Sequence, residues 1–301
     1  MTTRLQIIRA GPLTSIQDDG RFGMLRHGVS ASGPMDRTSY LEAGQWVEAG
    51  QGGVEFTIAG LELTVLDGGC GVGFAGGDFT IRHNGEALSW PGNVELRAGD
   101  TLAITPGPAG NYGYLRFNAE LEIPTVLGSM STNSRAGLGG LTGKALQAGD
   151  ILELGEALGH LGTSEPAAQQ GDNAPIRVIW GAHADLFTGR VRQRFLSSAF
   201  AITPRMDRMG VRLHDTTGVF SGASDLSLVS EAIVPGDIQI LGDGTPIVLM
   251  RDHQPTGGYP RIATLITADL DRFAQLRPGT EVRFQPVTVA RAHQLLRGRA
   301  G

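Results

Sequence analysis

At 301 residues the chain can bury a sizeable core and has room for roughly two domains of about 150 residues each. Its 25 Lys+Arg against 30 Asp+Glu leave a net charge of −5, and aromatics make up only 6%. A general nucleic-acid binder needs a basic face and a base-stacking platform needs aromatics, so neither class fits.

Glycine is the outlier, with 45 residues, about twice the usual ~7%. No collagen period or low-complexity tract accounts for it, so these residues read as turn glycines of a turn-rich β protein. The single cysteine, Cys70, cannot form an internal disulfide and fits a reducing compartment. It reads as a small core or turn residue rather than a nucleophile. The N-terminal run Met1–Arg9 lacks a signal-peptide h-region. No apolar run approaches the ~20 residues of a membrane span, so a soluble cytoplasmic protein is expected.

In chain order, the first expected helix is Met35–Val47, after Pro34, with Leu41 and Trp46 inward. Strands follow at Phe56/Ile58 and Leu61/Leu63/Val65, where apolar residues alternate, and in the apolar runs Thr101–Ile104 and Ile151–Leu154. The polar stretch Ser164–Asn173 carries Pro and Gly without apolar periodicity. It is the expected linker (165–173) between domains at 1–164 and 174–301. Beyond it, strands are expected at Arg177–Trp180, Ile238/Ile240, Ile247–Met250, Ala263–Ile266 and Glu281–Phe284. Helices are expected at Asp185–Leu196, with Leu186, Val191 and Phe195 near one face, at Thr267–Leu276, and in the basic tail Val289–Arg299. Short strands spaced by turn signals predict a mainly β chain of barrels or sandwiches. Asp19–Met24 resembles Met206–Val211, and Gly-Asp precedes an apolar strand at Gly99-Asp100, Gly149-Asp150 and Gly236-Asp237. The two halves thus hint at an internal repeat.

Several familiar motifs fail on inspection. Gly71–Gly76 matches GxGxxG literally, but the segment that follows, Asp78–Gly85, reads as strand and turn where a dinucleotide site needs a helix start. Gly143-Lys144 lacks the rest of a phosphate-binding loop, with Leu138 at the first glycine and Ala145 at the Ser/Thr position. Gly28–Gly33 is one residue too long for a nucleophile elbow. The seven histidines show no HExxH or zinc spacing, so no metal site is expected.

Three polar clusters remain. The first is Ser15–Gly23, continuing through His27 and Ser30–Asp36. The second is Ser129–Gly140. The third joins Arg205–Gly210, Ser230-Glu231, Pro235–Gln239 and the loop Arg251–Arg261. That loop sits between two apolar runs and groups a carboxylate, an imidazole, an amide, a hydroxyl, a phenol and two guanidinium groups around Gly257-Gly258. Glycine there admits close backbone approach and positive φ, and polar loops held between strands are common binding sites. Arg suits bidentate capture of carboxylate or phosphate, and nearby Asp or Glu can serve as base or orient the Arg.

The clusters carry a resemblance. The matching runs are Thr14–Arg21, His27–Asp36, Val126–Thr132 with Arg135–Gly140, Ala145–Asp150, Asp207–Arg212, Ser230-Glu231 with Val234–Gly236, and Asp252–Tyr259. In this order the chain resembles the biotin-dependent carboxyltransferase / allophanate hydrolase subunit 2 family, whose bacterial members include the C component of ATP-dependent 5-oxoprolinase. The resemblance implies tandem cyclophilin-like β-barrel domains and a subunit 1/B partner, with a third component of the LamB/YcsF type completing a 5-oxoprolinase. The implied reaction consumes ATP, 5-oxo-L-proline and water and gives L-glutamate, ADP and phosphate. In urea carboxylase the homologous segment helps move CO2 from carboxybiotin to urea. This chain has no biotinyl Met-Lys-Met site, so under that alternative biotin arrives on another polypeptide. The family is also linked to an antagonist of a histidine-kinase inhibitor, which leaves a regulatory or scaffold role open. The chain departs from the family pattern at Tyr114–Glu120 and at Gln45–Gly50.

On this reading the second half holds the main site. Arg208 is expected to bind an anionic group. Gln254, Thr256 and the amides of Gly257 and Gly258 are expected to position an oxyanion or lactam carbonyl. Asp252 or Glu231 is the proton-transfer group, and Tyr259 closes the pocket. The structural alternative makes Arg208 and Asp207 an ion pair and Gly257-Gly258 a barrel corner. In the first half, Arg21 with Asp36 is either a fold-locking pair or a ligand contact. The Ser129–Gly140 run, with Ser131 and Arg135, is either an anion-binding nest or an ordinary loop. His253 reads as a packed or surface residue rather than a catalyst.

Overall fold

A computed structural model of the chain describes residues 2–158, 161–162, 174–221 and 228–298; the expected linker, 165–173, lies outside the described residues. The chain forms two compact units, one made of Met1–Met24 with Ala31–Gln169 and the other of Leu25–Ser30 with Gln170–Gly301. It is mainly β, as expected.

The first unit runs β1 (Thr3–Ala10), β2 (Ser15–Gln17), α1 (Arg37–Gln45), β3 (Gly53–Thr57), β4 (Leu61–Asp67), β5 (Gly69–Gly76), β6 (Phe79–His83), β7 (Glu86–Leu88), β8 (Gly92–Arg97), β9 (Thr101–Pro106), β10 (Tyr112–Phe117), β11 (Ala119–Leu121) and β12 (Ile151–Ala157). One sheet has the order β11-β12-β1-β4-β9-β6-β7 and the other β2-β3-β10-β5-β8. Alternate residues of both enclose one core. Leu5, Ile7, Leu61, Leu63 and Ile104 come from the first sheet, and Val54, Phe56, Val72, Phe74 and Leu115 from the second.

The glycine-rich motif Gly71–Gly76 is itself strand β5. Cys70, Val72 and Phe74 belong to the core. On the alternate positions, a Cβ at Gly73 would collide with the Ala43 carbonyl and crowd Trp46 and Val47 of the α1 segment. Gly73 therefore makes room for a helix packed on the sheet. Helix α1 starts at Asp36, whose Oδ1 accepts from the Ser39 N–H at 3.0 Å and whose Oδ2 accepts from the Ser39 hydroxyl at 2.6 Å. Its buried face is Tyr40, Ala43 and Val47, while Leu41, expected inward, is 45% exposed. The buried stripe keeps the 3–4 spacing, with Ala43 at the point nearest Gly73.

The second unit runs β13 (Ile176–Trp180), α2 (Gly189–Ser197), β14 (Phe200–Met206), β15 (Gly210–His214), β16 (Glu231–Ala232), β17 (Asp237–Ile240), β18 (Pro246–Leu249), β19 (Thr256–Gly257), β20 (Arg261–Leu265), α3 (Thr267–Ala274), β21 (Glu281–Val282), β22 (Phe284–Pro286) and α4 (Val289–Arg297). Eight of these form one sheet in the order β21-β14-β15-β18-β17-β20-β13-β22. Its two edge strands are consecutive in the chain, with only Arg283 between them, so the segment Glu281–Pro286 closes the sheet into a barrel. Phe200 pairs with Val282 at one edge and Ile176 with Phe284 at the other. Closure leaves little open edge. Phe195 of α2 stacks on Phe284 at 4.9 Å and anchors the helix over the seam. The helix expected at Asp185–Leu196 is two pieces, a 3-10 turn at Ala184–Leu186 and α2, because Thr188 caps a new start by accepting from the Val191 N–H. Leu186 is accordingly 48% exposed rather than on the Phe195 face.

Candidate functional site

The loop between β18 and β20 is tied down by a two-residue ribbon. Strand β19 pairs antiparallel with β16, placing Glu231 opposite Gly257 and Ala232 opposite Thr256. The Leu228 N–H donates to the Gly258 carbonyl at 2.9 Å and the Ile233 N–H to the Pro255 carbonyl at 3.3 Å. The structure therefore brings Glu231 together with the Gln254–Tyr259 run. Antiparallel ladders alternate bonded and non-bonded pairs. The Ile233–Pro255 bond makes Glu231–Gly257 the next exchanging pair, which turns the Gly257 N–H toward the Glu231 carbonyl rather than a ligand. Thr256 and Tyr259 are exposed, and Gln254, Gly257 and Gly258 are half-buried.

Neither glycine has positive φ, so the conformational reason expected for them does not apply. Close approach does. A Cβ at Gly257 would stand 2.5 Å from Gln239 Nε2, and one at Gly258 would stand 2.8 Å from the Leu228 carbonyl oxygen.

Glu231 is half-exposed and gripped at both oxygens. Its Oε1 lies 2.8 Å from His183 Nε2, and its Oε2 accepts from Arg261 Nη2 at 2.9 Å. The Arg261 N–H donates to His183 Nδ1 at 3.2 Å. Nδ1 is thus an acceptor, so the imidazole proton sits on Nε2 and points at Glu231. Arg261 Nη1 donates to the Ala232 carbonyl at 3.1 Å and to Asp237 Oδ2 at 3.3 Å. Asp237 is held in turn by the Thr264 hydroxyl at 2.6 Å. Sequence reasoning missed His183. Its signal is positional: it follows the last residue of β13 by three, and the pairing of Trp180 with Ala263 sets it beside Arg261.

Arg208 and Asp252 are engaged with each other. Nε donates to Oδ2 at 2.8 Å and Nη2 to Oδ1 at 3.2 Å, with side chains 6% and 4% exposed. The Asp252 N–H also donates to the Arg208 carbonyl at 2.7 Å. Asp207, the partner suggested by adjacency, instead caps its own turn by accepting from the Met209 and Gly210 N–H groups. Arg208, expected as an anion receptor, and Asp252, expected as a base, are thus paired with each other in this structure. His253 is packed, as expected. It is 3% exposed, its Nδ1 lies 2.6 Å from the Gln254 carbonyl, and burial lowers its pKa below the ordinary value.

In the first unit Arg21 is 1% exposed, and its Nη2 donates to the Ser131 carbonyl at 2.5 Å and its Nε to the Val126 carbonyl at 3.3 Å. Ser131 is fully buried and donates to Asp18 Oδ1 at 2.6 Å. Asp18 also accepts from the Ser129 hydroxyl at 2.5 Å, the Met130 N–H at 2.7 Å and the Gly20 N–H at 2.9 Å. Burial alone would raise the Asp18 pKa, but these bonds outweigh it and hold it below the usual carboxylate range. Asp18 and Arg21 thus brace the Val126–Ser131 loop, and Arg21 and Ser131, expected as substrate contacts, are both buried in that network. Asp36 caps α1. Arg135 is exposed on the turn between the bridged residues Asn133 and Leu138.

The stretches 45–50 and 114–120 meet. Arg116 of β10 donates from Nη2 to the Gly50 carbonyl at 2.7 Å and from Nε to the Gly52 carbonyl at 2.8 Å, and its guanidinium lies 4.0 Å over the Tyr40 ring. The Gly50 N–H returns a bond to the Phe117 carbonyl at 2.9 Å.

Among the described residues no group of His, Cys, Asp and Glu is arranged to hold a metal ion, and no helix is long and apolar enough to cross a membrane.

Residues 27–286 match the model of the carboxyltransferase domain, subdomain A and B, and the chain belongs to that family. It is 33% identical to the C component of 5-oxoprolinase from Escherichia coli K12, over 93% of this chain and 90% of that protein. It is 32% identical to the C component of 5-oxoprolinase from Haemophilus influenzae, over 97% and 94%. The crystal structure of the Kluyveromyces lactis urea amidolyase superposes with a TM-score of 0.89 at 25% identity, covering 99% of this chain but only 19% of that one.

Proposed function

We infer that the chain is the C-type component of a cytoplasmic, ATP-dependent 5-oxoprolinase, a hydrolase that converts 5-oxo-L-proline to L-glutamate. One observation carries this: similarity to proteins of that name runs end to end on both sides, 90% and 94% of their lengths. In the urea amidolyase the corresponding region is one segment of a far longer chain. The partners are a subunit 1/B homologue and a LamB/YcsF-type protein, and ATP acts at the level of the complex.

The candidate site is the β16–β19 ribbon. Glu231, Gln254, Thr256 and Tyr259 offer polar groups to a small molecule, and Gly257 and Gly258 keep the ribbon thin. Arg208 and Asp252 stiffen the loop from behind. The test is reconstitution. The chain co-expressed with both partners should consume ATP and release glutamate from 5-oxoproline, and Glu231→Gln or Thr256→Val should lower turnover while the complex stays assembled. Unchanged turnover in both variants would leave the chain a scaffold.

The carboxyltransferase alternative rests on the fold match to urea amidolyase. It takes its biotin from a carrier outside these residues, whose single lysine, Lys144, lies in Gly-Lys-Ala. Activity blocked by avidin and dependent on a biotinylated carrier would select it.

A further inference from the structure

Helix α4 is incompletely packed. It has nine residues, and helices shorter than about 12–15 residues are marginal unless an amphipathic face packs on something. Thr288 caps its start by accepting from the Arg291 N–H at 3.2 Å. Val289, Ala292, His293 and Leu296 follow the i, i+3, i+4, i+7 spacing of one helix face. No residue of α4 is buried, and Val289 and Leu296 are 53% and 42% exposed. This stripe lines a groove of about 350 Å³ together with Leu265, Ile266 and Leu270, which are buried. That volume lies in the range of small-molecule sites. The titratable groups of the lining are of one sign: Arg251 and His293 belong to it, and no Asp or Glu does. Arg251 donates from Nη2 to Asp271 Oδ1 at 3.3 Å, and its side chain stays 21% exposed. A guanidinium has several further N–H donors, so Arg251 keeps capacity for a second anion. None of the ribbon residues Glu231, Gln254, Thr256 and Tyr259 lines this groove.

We propose that the groove beside α4 is a binding site for an aliphatic monocarboxylate. The hydrocarbon body lies along Leu265, Ile266 and Leu270 under the α4 stripe and completes the packing that the helix lacks. The carboxylate is held by Arg251, whose planar donors suit it, and His293 adds a second group of the right kind when protonated. Burying the body removes apolar surface of Val289 and Leu296 from water. A neutral chain of the same length leaves Arg251 without its acceptor, and an amine meets a lining with no acid. The site lies apart from the β16–β19 ribbon and stands independently of the 5-oxoprolinase reading.

The experiment is calorimetric titration of the full chain with hexanoate, octanoate and decanoate, and with octanol, octylamine and acetate as controls. At least one of the three acids should bind saturably, and should raise the melting temperature as a ligand of the folded state does. Octanol and octylamine should bind about 10- to 100-fold more weakly than octanoate, the usual discrimination for a lost hydrogen bond to a charged group. Acetate, a head without a body, should not bind. Arg251→Gln should remove the preference for octanoate over octanol and leave octanol unchanged. Leu296→Asp, at an exposed position where folding tolerates a charge, should weaken octanoate by about tenfold or more through like-charge repulsion and lost apolar contact. Arg291→Gln, on α4 but outside the groove lining, should leave the affinity as it is. Thermal melts without ligand check that each variant folds. Saturable binding by none of the three acids overturns the proposal. So does equal affinity for octanoate, octanol and octylamine, and so does an octanoate affinity unchanged in both Arg251→Gln and Leu296→Asp.

Discussion

Arg208 and Asp252 face each other as a buried bidentate pair, Nε to Oδ2 at 2.8 Å and Nη2 to Oδ1 at 3.2 Å, directly before the polar loop that carries Gln254–Tyr259. A buried charge left alone costs far more than the pair contributes. Arg208→Ala, which strands the Asp252 carboxylate, should therefore destabilise the protein by about 3–5 kcal/mol. The double replacement Arg208→Met/Asp252→Leu removes both charges and should recover most of that loss. Urea unfolding midpoints of the single and double variants check this. Equal destabilisation by the double would show that the pair's other contacts matter more. Loss of turnover in Arg208→Ala is accordingly no evidence of substrate contact unless stability is measured alongside.

Asp18 sets an acid limit. Its folded pKa is depressed below the ordinary 3.8. A depressed carboxylate contributes stability above the unfolded value and loses it as pH falls through the folded one. The Val126–Ser131 loop should thus be held at neutral pH and released only as pH falls through the depressed folded value, below 3.8. Asp18→Asn should cost roughly 1–3 kcal/mol at pH 7, the usual range for bonds to a charged group. It should also flatten the decline of stability between pH 5 and about 2. Denaturation followed across that pH range in both proteins is the measurement, and parallel curves would refute the assignment.

The barrel strands were legible wherever one face is buried and the other is not. Leu61, Leu63 and Val65 alternate with half-buried Glu62 and Thr64, and the period is visible in the residues themselves. Strand β5 is not legible, because glycines alternate with its core residues, Gly73 among them to admit α1, and together resemble a nucleotide-binding motif. The inward stripe of α1 was misread for the same reason: Tyr40 and Ala43 face the sheet and Leu41 does not. At the site, Glu231 and the Gln254–Tyr259 run were found as polar clusters and the structure joins them. Arg21, Ser131, Arg208 and Asp252 drew attention by the same polarity. Residues that brace a loop from inside and residues that bind a ligand have the same chemistry, and only burial separates them. His183 escaped because its partners Glu231 and Arg261 are brought to it by strand register rather than by sequence proximity.

Cys70 should be inert in the folded state. It is 3% exposed, and burial pushes its thiol pKa up to about 12. Thiolate is the reactive form, so at pH 8 iodoacetamide should leave the native protein unlabelled and label it stoichiometrically in denaturant. Mass spectrometry distinguishes the two. Labelling of native protein at the rate of a free thiol would mean that this part of β5 opens readily.

The contact between Arg116 and Gly50 predicts that the two atypical segments are interdependent. Arg116 is 8% exposed and donates to the carbonyls of Gly50 and Gly52, so it holds the turn after α1 from beneath. A Cβ at Gly50 would stand 2.7 Å from the carbonyl carbon and oxygen of Ala119 and force the turn away from β11. Arg116→Leu leaves two buried carbonyls without a donor, and each should cost about 1–3 kcal/mol. Gly50→Ala should destabilise by overpacking, by about 1–3 kcal/mol. Because both changes detach the same turn, their effects should fall short of additive by about 0.5 kcal/mol or more, as expected for residues in contact. A double-mutant cycle on urea unfolding reads this directly. Strict additivity would show that Arg116 acts on the Tyr40 ring rather than on the turn.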